Sequence, residues 1–265
     1  MTQQVLTIAT YNVNSVNARL ENILEWLKEA SPDVVCLQEI KCESPKFPFE
    51  ALQDAGYTCV ISGQKSYNGV AILSRLPMEV AQERLPGDAD DTQARYLEVE
   101  ISHASGAVRV ACLYCPNGNP IGTEKFDYKL RWMDRLQTHV TTLLAYEEPL
   151  VLAGDWNIIP RHSDCYDPAA WMGDALFQPE SRAAWHRLLN LGLTDAYMAV
   201  DGTENVYTFW DYQAGAWPKD NGIRIDHFAL SPQAADHVNS VKIWRSARGR
   251  ERASDHVPVS ADFVF

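Results

Sequence analysis

The chain has little positive charge, no long apolar run, no repeat and few cysteines, and each shortage removes a class of protein. Its 23 Lys and Arg face 35 Asp and Glu, a formal net charge of −12. Charge alone disfavours a nucleic-acid binder, because neutralising phosphates needs clustered Lys and Arg. The longest apolar runs, such as Pro149-Leu150-Val151-Leu152-Ala153, are far too short to cross a bilayer, so no membrane partner is expected. Met1-Thr2-Gln3-Gln4 carries no basic segment of the kind that opens a secretory signal, and a cytoplasmic location is expected. There is no low-complexity linker and no repeat with a period on the order of 20–50 residues, as solenoids and propellers have. The six cysteines (36, 42, 59, 112, 115, 165) include several inside apolar runs such as Val34-Val35-Cys36-Leu37. They read as reduced, mostly buried thiols rather than a disulfide framework. Cys112-x-x-Cys115 has zinc-like spacing, yet no second Cys or His pair lies at matching distance, which disfavours a zinc site.

What is present is material for a large core. With 46% hydrophobic and 22% charged residues, the chain is globular rather than disordered. Size scaling gives roughly 11,600 Å² of folded surface against about 43,000 Å² for the extended chain, enough for one large domain or two small ones. Apolar runs bounded by Gly, Pro, Asn or Asp predict strands at 5–13, 34–39, 57–62, 69–74, 96–101, 108–115, 150–156, 206–211, 225–230, 240–244 and 257–265. Helical periodicity is confined to 16–29, 124–146 and 181–191. That many strands beside so few helices does not fit a plain doubly wound sheet. It fits two packed sheets covered outside by helices, in a single domain over 1–265. The Pro- and Asp-rich stretch 160–180 reads as a long surface loop.

The polar residues collect where strands end. Tyr11-Asn12-Val13-Asn14, Gln38-Glu39, Tyr114-Cys115-Pro116-Asn117-Gly118, Gly154-Asp155-Trp156-Asn157, Arg224-Ile225-Asp226 and Ser254-Asp255-His256 all sit at a boundary between a buried strand and a loop. Side chains at i and i+2 of a strand share a face, so Asp155 and Asn157 point together, as do Asn12 and Asn14. Converging on one rim, these ends would make a pocket of Glu39, Asp155, Asp226 and Asp255 beside Asn12, Asn157, Tyr114 and His256. Four carboxylates repel unless a cation sits among them, and hard oxygen donors favour Mg²⁺ or Mn²⁺ over zinc. Each member alone has a plainer explanation, since Asx residues at strand ends are common turn formers. Six such clusters are hard to explain as turns.

In their order along the chain, these segments resemble the exonuclease III family of abasic-site endonucleases, within the endonuclease/exonuclease/phosphatase superfamily. Gly69-Val70-Ala71-Ile72-Leu73-Ser74 and Phe209-Trp210-Asp211-Tyr212 extend the match, which runs from residue 11 to 256. Tyr-x-Pro-Asn-Gly and Trp-Asp-Tyr point to the DNA-repair branch rather than the phosphatase or sphingomyelinase branches. The resemblance implies the family's α/β fold, a four-layer sandwich of two packed mixed β-sheets flanked by helices, which agrees with the strand and helix pattern. The resemblance implies a Mg²⁺-dependent nuclease, with Mn²⁺ as the other candidate. It would cut the phosphodiester 5′ to abasic sites and remove nucleotides or blocking groups from 3′ ends of duplex DNA, acting as a monomer.

The same resemblance assigns roles. Glu39 would be the principal metal ligand, with Asn12 and Asp255 close to the metal shell and Asp155 with Asn157 as a second site. Asp155 would orient and deprotonate the attacking water, held by Asn157. His256 would hydrogen-bond a phosphate oxygen while Asp226 fixes its tautomer. Tyr114 would contact the scissile phosphate or assist the leaving oxygen, and Asn117 would hold DNA nearby. Phe209, Trp210 and Ile225 are the candidates for a pocket that accepts a bare sugar, with core packing as the plainer reading for each. Ile223 stands where some family members carry Trp, which implies a softer wall. The basic run 242–252, with Arg248 and Arg250, would touch phosphates, joined by Lys125, Lys129 and Arg131. A phosphoesterase of the same superfamily acting on RNA, nucleotides or small phosphate esters is the alternative, since a net charge of −12 suits a small soluble substrate. A non-catalytic relative is disfavoured, because every acid, amide and His position is filled.

Overall fold

The computed structural model describes residues 4–265. Among these residues twelve strands form two six-stranded sheets. The first has the order β11-β12-β1-β2-β4-β3, built from β1 (Val5–Asn12), β2 (Val34–Gln38), β3 (Thr58–Ser62), β4 (Val70–Ser74), β11 (Val238–Ile243) and β12 (Val259–Val264). The second has the order β5-β6-β7-β8-β10-β9, from β5 (Met78–Gln82), β6 (Tyr96–His103), β7 (Gly106–Tyr114), β8 (Leu150–Asp155), β9 (Thr194–Asp195) and β10 (Asp226–Leu230). Each sheet has one parallel pair at its centre, β1 with β2 and β7 with β8, and is antiparallel elsewhere. A parallel pair needs a crossover, and helices supply it: α1 (Leu20–Ala30) between β1 and β2, and α3 (Glu124–Leu144) between β7 and β8, with α2 (Phe49–Asp54) intervening in the chain.

Strand alternation divides the apolar residues into layers. Leu6, Ile8, Val34, Cys36, Val110, Cys112, Val151, Ala153, Phe228 and Leu230 point inward and make the core between the sheets. Their neighbours Ala9, Tyr11, Val35 and Leu37 point outward and pack under Ile23, Trp26 and Leu27 of α1. Ala111, Leu113 and Leu152 do the same under α3 and α5 (Pro179–Leu189), whose Trp132, Leu136, Trp185 and Leu188 cover them. Four layers result, helices outside and two mixed sheets within. Gly154 marks the tightest approach: a Cβ there would lie 1.9 Å from the Leu113 carbonyl oxygen, so no side chain fits.

Several boundaries differ from the sequence reading, for identifiable reasons. The first helix starts at Leu20 rather than 16, because residues 13–16 first run beside the end of β2. There Val13, Ser15 and Val16 donate to the carbonyls of Gln38, Glu39 and Ile40. The 206–211 segment is not a strand: only isolated bridges join Phe209 to Ile223 and to His256. β5 lies at a sheet edge with an exposed face and lacks the apolar run that would announce it. The 160–180 stretch is not a surface loop. Asp164, Cys165, Leu176 and Phe177 are buried, and Pro168–Trp171 is a short helix, α4. Among the described residues, no helix is long and apolar enough to cross a membrane.

Candidate active site

Five strands carry their inward face past the end of the apolar core, and the residue that follows is polar each time. Leu6-Ile8-Thr10 leads to Asn12, Val34-Cys36 to Gln38, Val110-Cys112 to Tyr114, Val151-Ala153 to Asp155, and Leu230-Phe228 to Asp226. Register then brings them together. Tyr114 pairs with Asp155, Asp155 with Asp226, and Asn12 with Gln38, one residue before Glu39. The pocket is therefore the inter-sheet core continued into polar residues at one rim.

Backbone conformation turns the side chains just beyond the strands into that rim. Asn14, Glu39 and Asn157 have φ of 45°, 52° and 48°. Asn tolerates this left-handed region, but a Glu held there costs about 1–3 kcal/mol, a strain that local packing must enforce. Glu39 is held by Lys41 Nζ, 2.8 Å from Oε2, and by Asn12 Nδ2, 2.9 Å from Oε1. Lys41 also donates to Asn14 Oδ1 at 2.5 Å, and Asn14 Nδ2 reaches Asp255 Oδ1 at 3.2 Å.

Asp155 lies at the centre. It accepts Asn12 Nδ2 at 2.9 Å, the Asn157 backbone N–H at 2.9 Å and Asn157 Nδ2 at 3.3 Å. His256 Nε2 stands 3.7 Å from its Oδ2, while His256 Nδ1 faces Asp226 Oδ2 at 2.9 Å. Phe209 packs edge-on against the imidazole, ring centroids 4.9 Å apart. Burial pushes the Asp155 carboxyl up to about 7, against the pull of His256. Burial opposes the His256 imidazolium too, but Asp226, then Asp155, outweigh it and lift the ring to about 10. Burial also penalises the Glu39 carboxylate, yet Lys41, then Asn12 and His256, hold it below its ordinary value. Tyr114 stays a phenol: burial, then Glu39 and Asp155, drive its pKa upward.

Glu39, Tyr114, Asp155, Asn157, Asp255 and His256 line a cavity of about 280 Å³ with Asn117, Asp174 and Asp211, and among the described residues no Lys or Arg lines it. Trp171, Leu176, Phe209 and Ile225 make one apolar wall. Single atoms of Glu39, Asp155 and His256 lie within 4.8 Å of one another, a spacing one ion could bridge. Five lining carboxylates with a single imidazole and no thiolate form an oxygen-rich donor set, which fits Mg²⁺ or Mn²⁺.

Several sequence-predicted residues have other duties here. Asn12 presents Nδ2 to the two carboxylates, and its Oδ1 accepts the Asn14 N–H at 3.1 Å. It thereby bridges Glu39 and Asp155. Trp210 is fully buried and donates from Nε1 to Asp220. Ile223 is also fully buried, and it is the backbone of Ile223 that holds Phe209 through two 3.0 Å hydrogen bonds. Arg248 bonds the Trp210 carbonyl, and Arg250 pairs with Glu29 at 2.7 Å. Lys129 is fully buried, and Arg131 pairs with Glu124. Lys125 does reach an open cleft of about 520 Å³, lined also by Arg95 and Tyr67 and meeting the pocket at Asn117.

Sequence reasoning missed Asp174, Leu176 and Asp211 of the lining, and with them Lys41, Thr208 and Trp171. Lys41 sits two residues after Glu39, and that spacing was a usable signal. Thr208 accepts the Ile225 and Asp226 N–H groups on Oγ1, fixing the strand start beneath the pocket. Trp171 reaches the wall from α4, and nothing in its local spacing marks it.

Comparison with known proteins adds a separate line of observation. The model of the Endonuclease/Exonuclease/phosphatase family matches residues 9–256. Exodeoxyribonuclease III of Haemophilus influenzae is 31% identical over 262 residues, covering 96% of this chain and 98% of that protein. A Neisseria 3′ phosphatase, solved with a product DNA hairpin, is 40% identical with a TM-score of 0.93, covering 98% of this chain and 100% of that one. An AP endonuclease from Archaeoglobus fulgidus is 35% identical with a TM-score of 0.89, covering 97% and 99%.

Proposed function

The chain belongs to the endonuclease/exonuclease/phosphatase family, and on that premise we propose that it is a Mg²⁺-dependent DNA repair nuclease. It hydrolyses the phosphodiester 5′ to abasic sites and removes nucleotides or blocking groups from 3′ ends of duplex DNA, acting as a monomer. The relatives carry these activities in their names: exodeoxyribonuclease, 3′ phosphatase and AP endonuclease. The observation that carries the reading is the Asp155 carboxylate held by two asparagines and set 3.7 Å from a His256 that Asp226 orients.

The chemistry follows from those residues. Asp155, poised near 7, accepts the proton of a water as its oxygen attacks phosphorus. Asn157 and Asn12 keep the carboxylate oxygens aimed. His256, charged across the neutral range, donates Nε2–H to a non-bridging phosphate oxygen whose negative charge grows as the bond forms. The bond from phosphorus to the 3′ oxygen breaks, that oxygen takes a proton from solvent water to leave as the 3′-hydroxyl, and the Tyr114 phenol, which lines the cavity, would donate a hydrogen bond to it. Mg²⁺, when bound, supplies neutralisation of the phosphate and of the leaving oxygen. Glu39 would hold it, with Asp155 and Asp255 around it. The apolar wall of Trp171, Leu176, Phe209 and Ile225 suits a sugar that has lost its base and offers nothing to pair with one that has not.

The test is a labelled duplex with one stable abasic-site analogue, incubated with Mg²⁺ or with EDTA, beside an intact duplex with a free 3′ end. Cleavage 5′ to the analogue, leaving a 3′-hydroxyl and vanishing in EDTA, is the expected result. No loss of either substrate would refute the reading.

A further inference from the structure

Lys129 is the oddest charge in the molecule. It lies near the start of α3, fully buried, and among the described residues no carboxylate pairs with its ammonium. Its Nζ instead donates to two backbone carbonyls, Asn117 at 3.1 Å and Asn157 at 2.5 Å. A buried ammonium without a counter-ion is costly to desolvate, and hydrogen bonds to two neutral carbonyls offset only part of that cost. Stability therefore does not explain the residue.

Geometry does. Asn117 belongs to the loop after β7, and Asn157 to the loop after β8, so the ammonium ties the two loops together from beneath. Asn117 Nδ2 also reaches Asn157 Oδ1 at 3.2 Å, and Asn157 Nδ2 donates to the Cys115 carbonyl at 2.9 Å. Asn157 thus has its amide engaged on both sides and its carbonyl gripped by Lys129, while its N–H and Nδ2 hold Asp155. The first loop is moulded to the lysine stem: at Gly118, with φ of 90°, a Cβ would lie 2.7 Å from Lys129 Cδ. A left-handed backbone and a missing side chain at this point let the chain drape over the alkyl stem and place the Asn117 carbonyl above Nζ.

We propose that Lys129 is a positioning residue of the pocket, tying the Asn117 and Asn157 carbonyls so that the Asn157 amide is held against Asp155. This deepens the nuclease reading and rests on it for its catalytic consequence. The residue touches no substrate, and it acts through Asn157.

The test replaces it with an isostere that has no donor, Lys129→Met, and reads three quantities. On the abasic duplex, kcat falls about 100-fold, the loss expected from a displacement near 1 Å, while KM stays within about twofold. The melting temperature does not fall. In the free protein, without metal or DNA, the side-chain ¹⁵N amide signals of Asn117 and Asn157 shift or broaden. Wild-type kcat in folded Lys129→Met, or unmoved amide signals, would overturn the proposal. A wild-type protein that cuts no DNA refutes the nuclease reading alone, and the amide signals still decide the role of Lys129. Should Lys129→Met not fold, Lys129→Ala with added ethylammonium carries the same test. Saturable recovery of kcat supports the tie, and a folded Lys129→Ala that needs no amine overturns it.

Discussion

Two buried clusters of carboxylate and histidine lie on opposite faces of the same strand, and their difference separates structure from chemistry. Asp226 and His227 are consecutive in β10, so one faces the inter-sheet pocket and the other faces outward against Trp185. On the outer side, Arg224 Nε bonds Asp164 at 2.8 Å and its Nη2 bonds Asp195 at 3.1 Å, with Arg161 a further partner of Asp164. Each carboxylate there has a guanidinium. Arg224 also donates to His227 Nδ1 at 2.9 Å, and His227 Nε2 meets the Ile158 carbonyl at 3.0 Å, which requires a neutral ring. Burial, then Arg224, pushes that histidine down to about 4. On the inner side, Glu39, Asp155, Asp226 and Asp255 have, among the described residues, only Lys41 and His256 to pair with, and His256 is lifted to about 10. The outer cluster is closed and charge-matched. The inner one keeps unmatched negative charge at a cavity, the state of a site built to receive a cation and a phosphate.

Substitutions on the two sides should therefore fail in opposite ways. Asp155→Asn should lose about 10³-fold or more in kcat on the abasic duplex while melting no lower than the parent, because a buried charge has been removed. Comparable loss of melting temperature and rate would erase the distinction. Arg224→Met should do the reverse, destabilising by about 3–5 kcal/mol because Asp164 and Asp195 lose their partner. The fraction that stays folded should keep near-parental kcat, as denaturant melts beside rate measurements at low temperature would reveal.

The two histidines sharpen the contrast through pH. Folding holds His227 below its unfolded value of 6.5, so its contribution to stability is complete above 6.5 and is lost as pH falls toward about 4. Folding holds His256 above that value, so its contribution is complete below 6.5 and is lost as pH rises through about 10. Melting temperatures in EDTA should show His227→Asn flattening the acid limb and His256→Asn the alkaline limb. The same limb flattened by both would contradict the assignment.

Smaller effects are expected at the pocket wall and beyond it. Trp171→Ala should raise KM for an abasic duplex by about tenfold, the scale of one lost apolar contact. Kinetics on an intact 3′ end would tell whether the wall serves both substrates. Arg250→Ala should change stability by about 1 kcal/mol or less and leave KM within about twofold, since its guanidinium is engaged by Glu29 in a surface ion pair. A steep rise in KM would restore it to the phosphate-contacting loop.

How much of this was legible in the chain follows from the range of each signal. Period-two alternation is local, so the inward series ending in Asn12, Tyr114, Asp155 and Asp226 could be read without coordinates. The left-handed backbone at Glu39 could not, because it depends on Lys41, Asn12 and the strand beside it. Phe209 and Trp210 are adjacent and chemically alike, yet only Phe209 reaches the cavity while Trp210 turns into the core against Trp217 and Asp220. Which of two neighbouring aromatics faces out of an irregular segment is decided by what packs on it, and no periodicity encodes that. Lys125 and Lys129 differ in the same way: one helical turn apart, the first lines a cleft and the second is sealed beneath two loops.

The amino-acid order by itself determined the four layers, the strand ends that carry the chemistry and the oxygen-rich character of the donor set, because alternation, turn residues and side-chain chemistry are properties of short segments. Only the tertiary structure decided which charges are answered and which are left open. Arg224 and Arg250 find partners 29 and 221 residues away, and Lys129 finds carbonyls instead of acids. Whether a charge is matched depends on distances between segments remote in the chain, and those exist only once the two sheets have closed on each other.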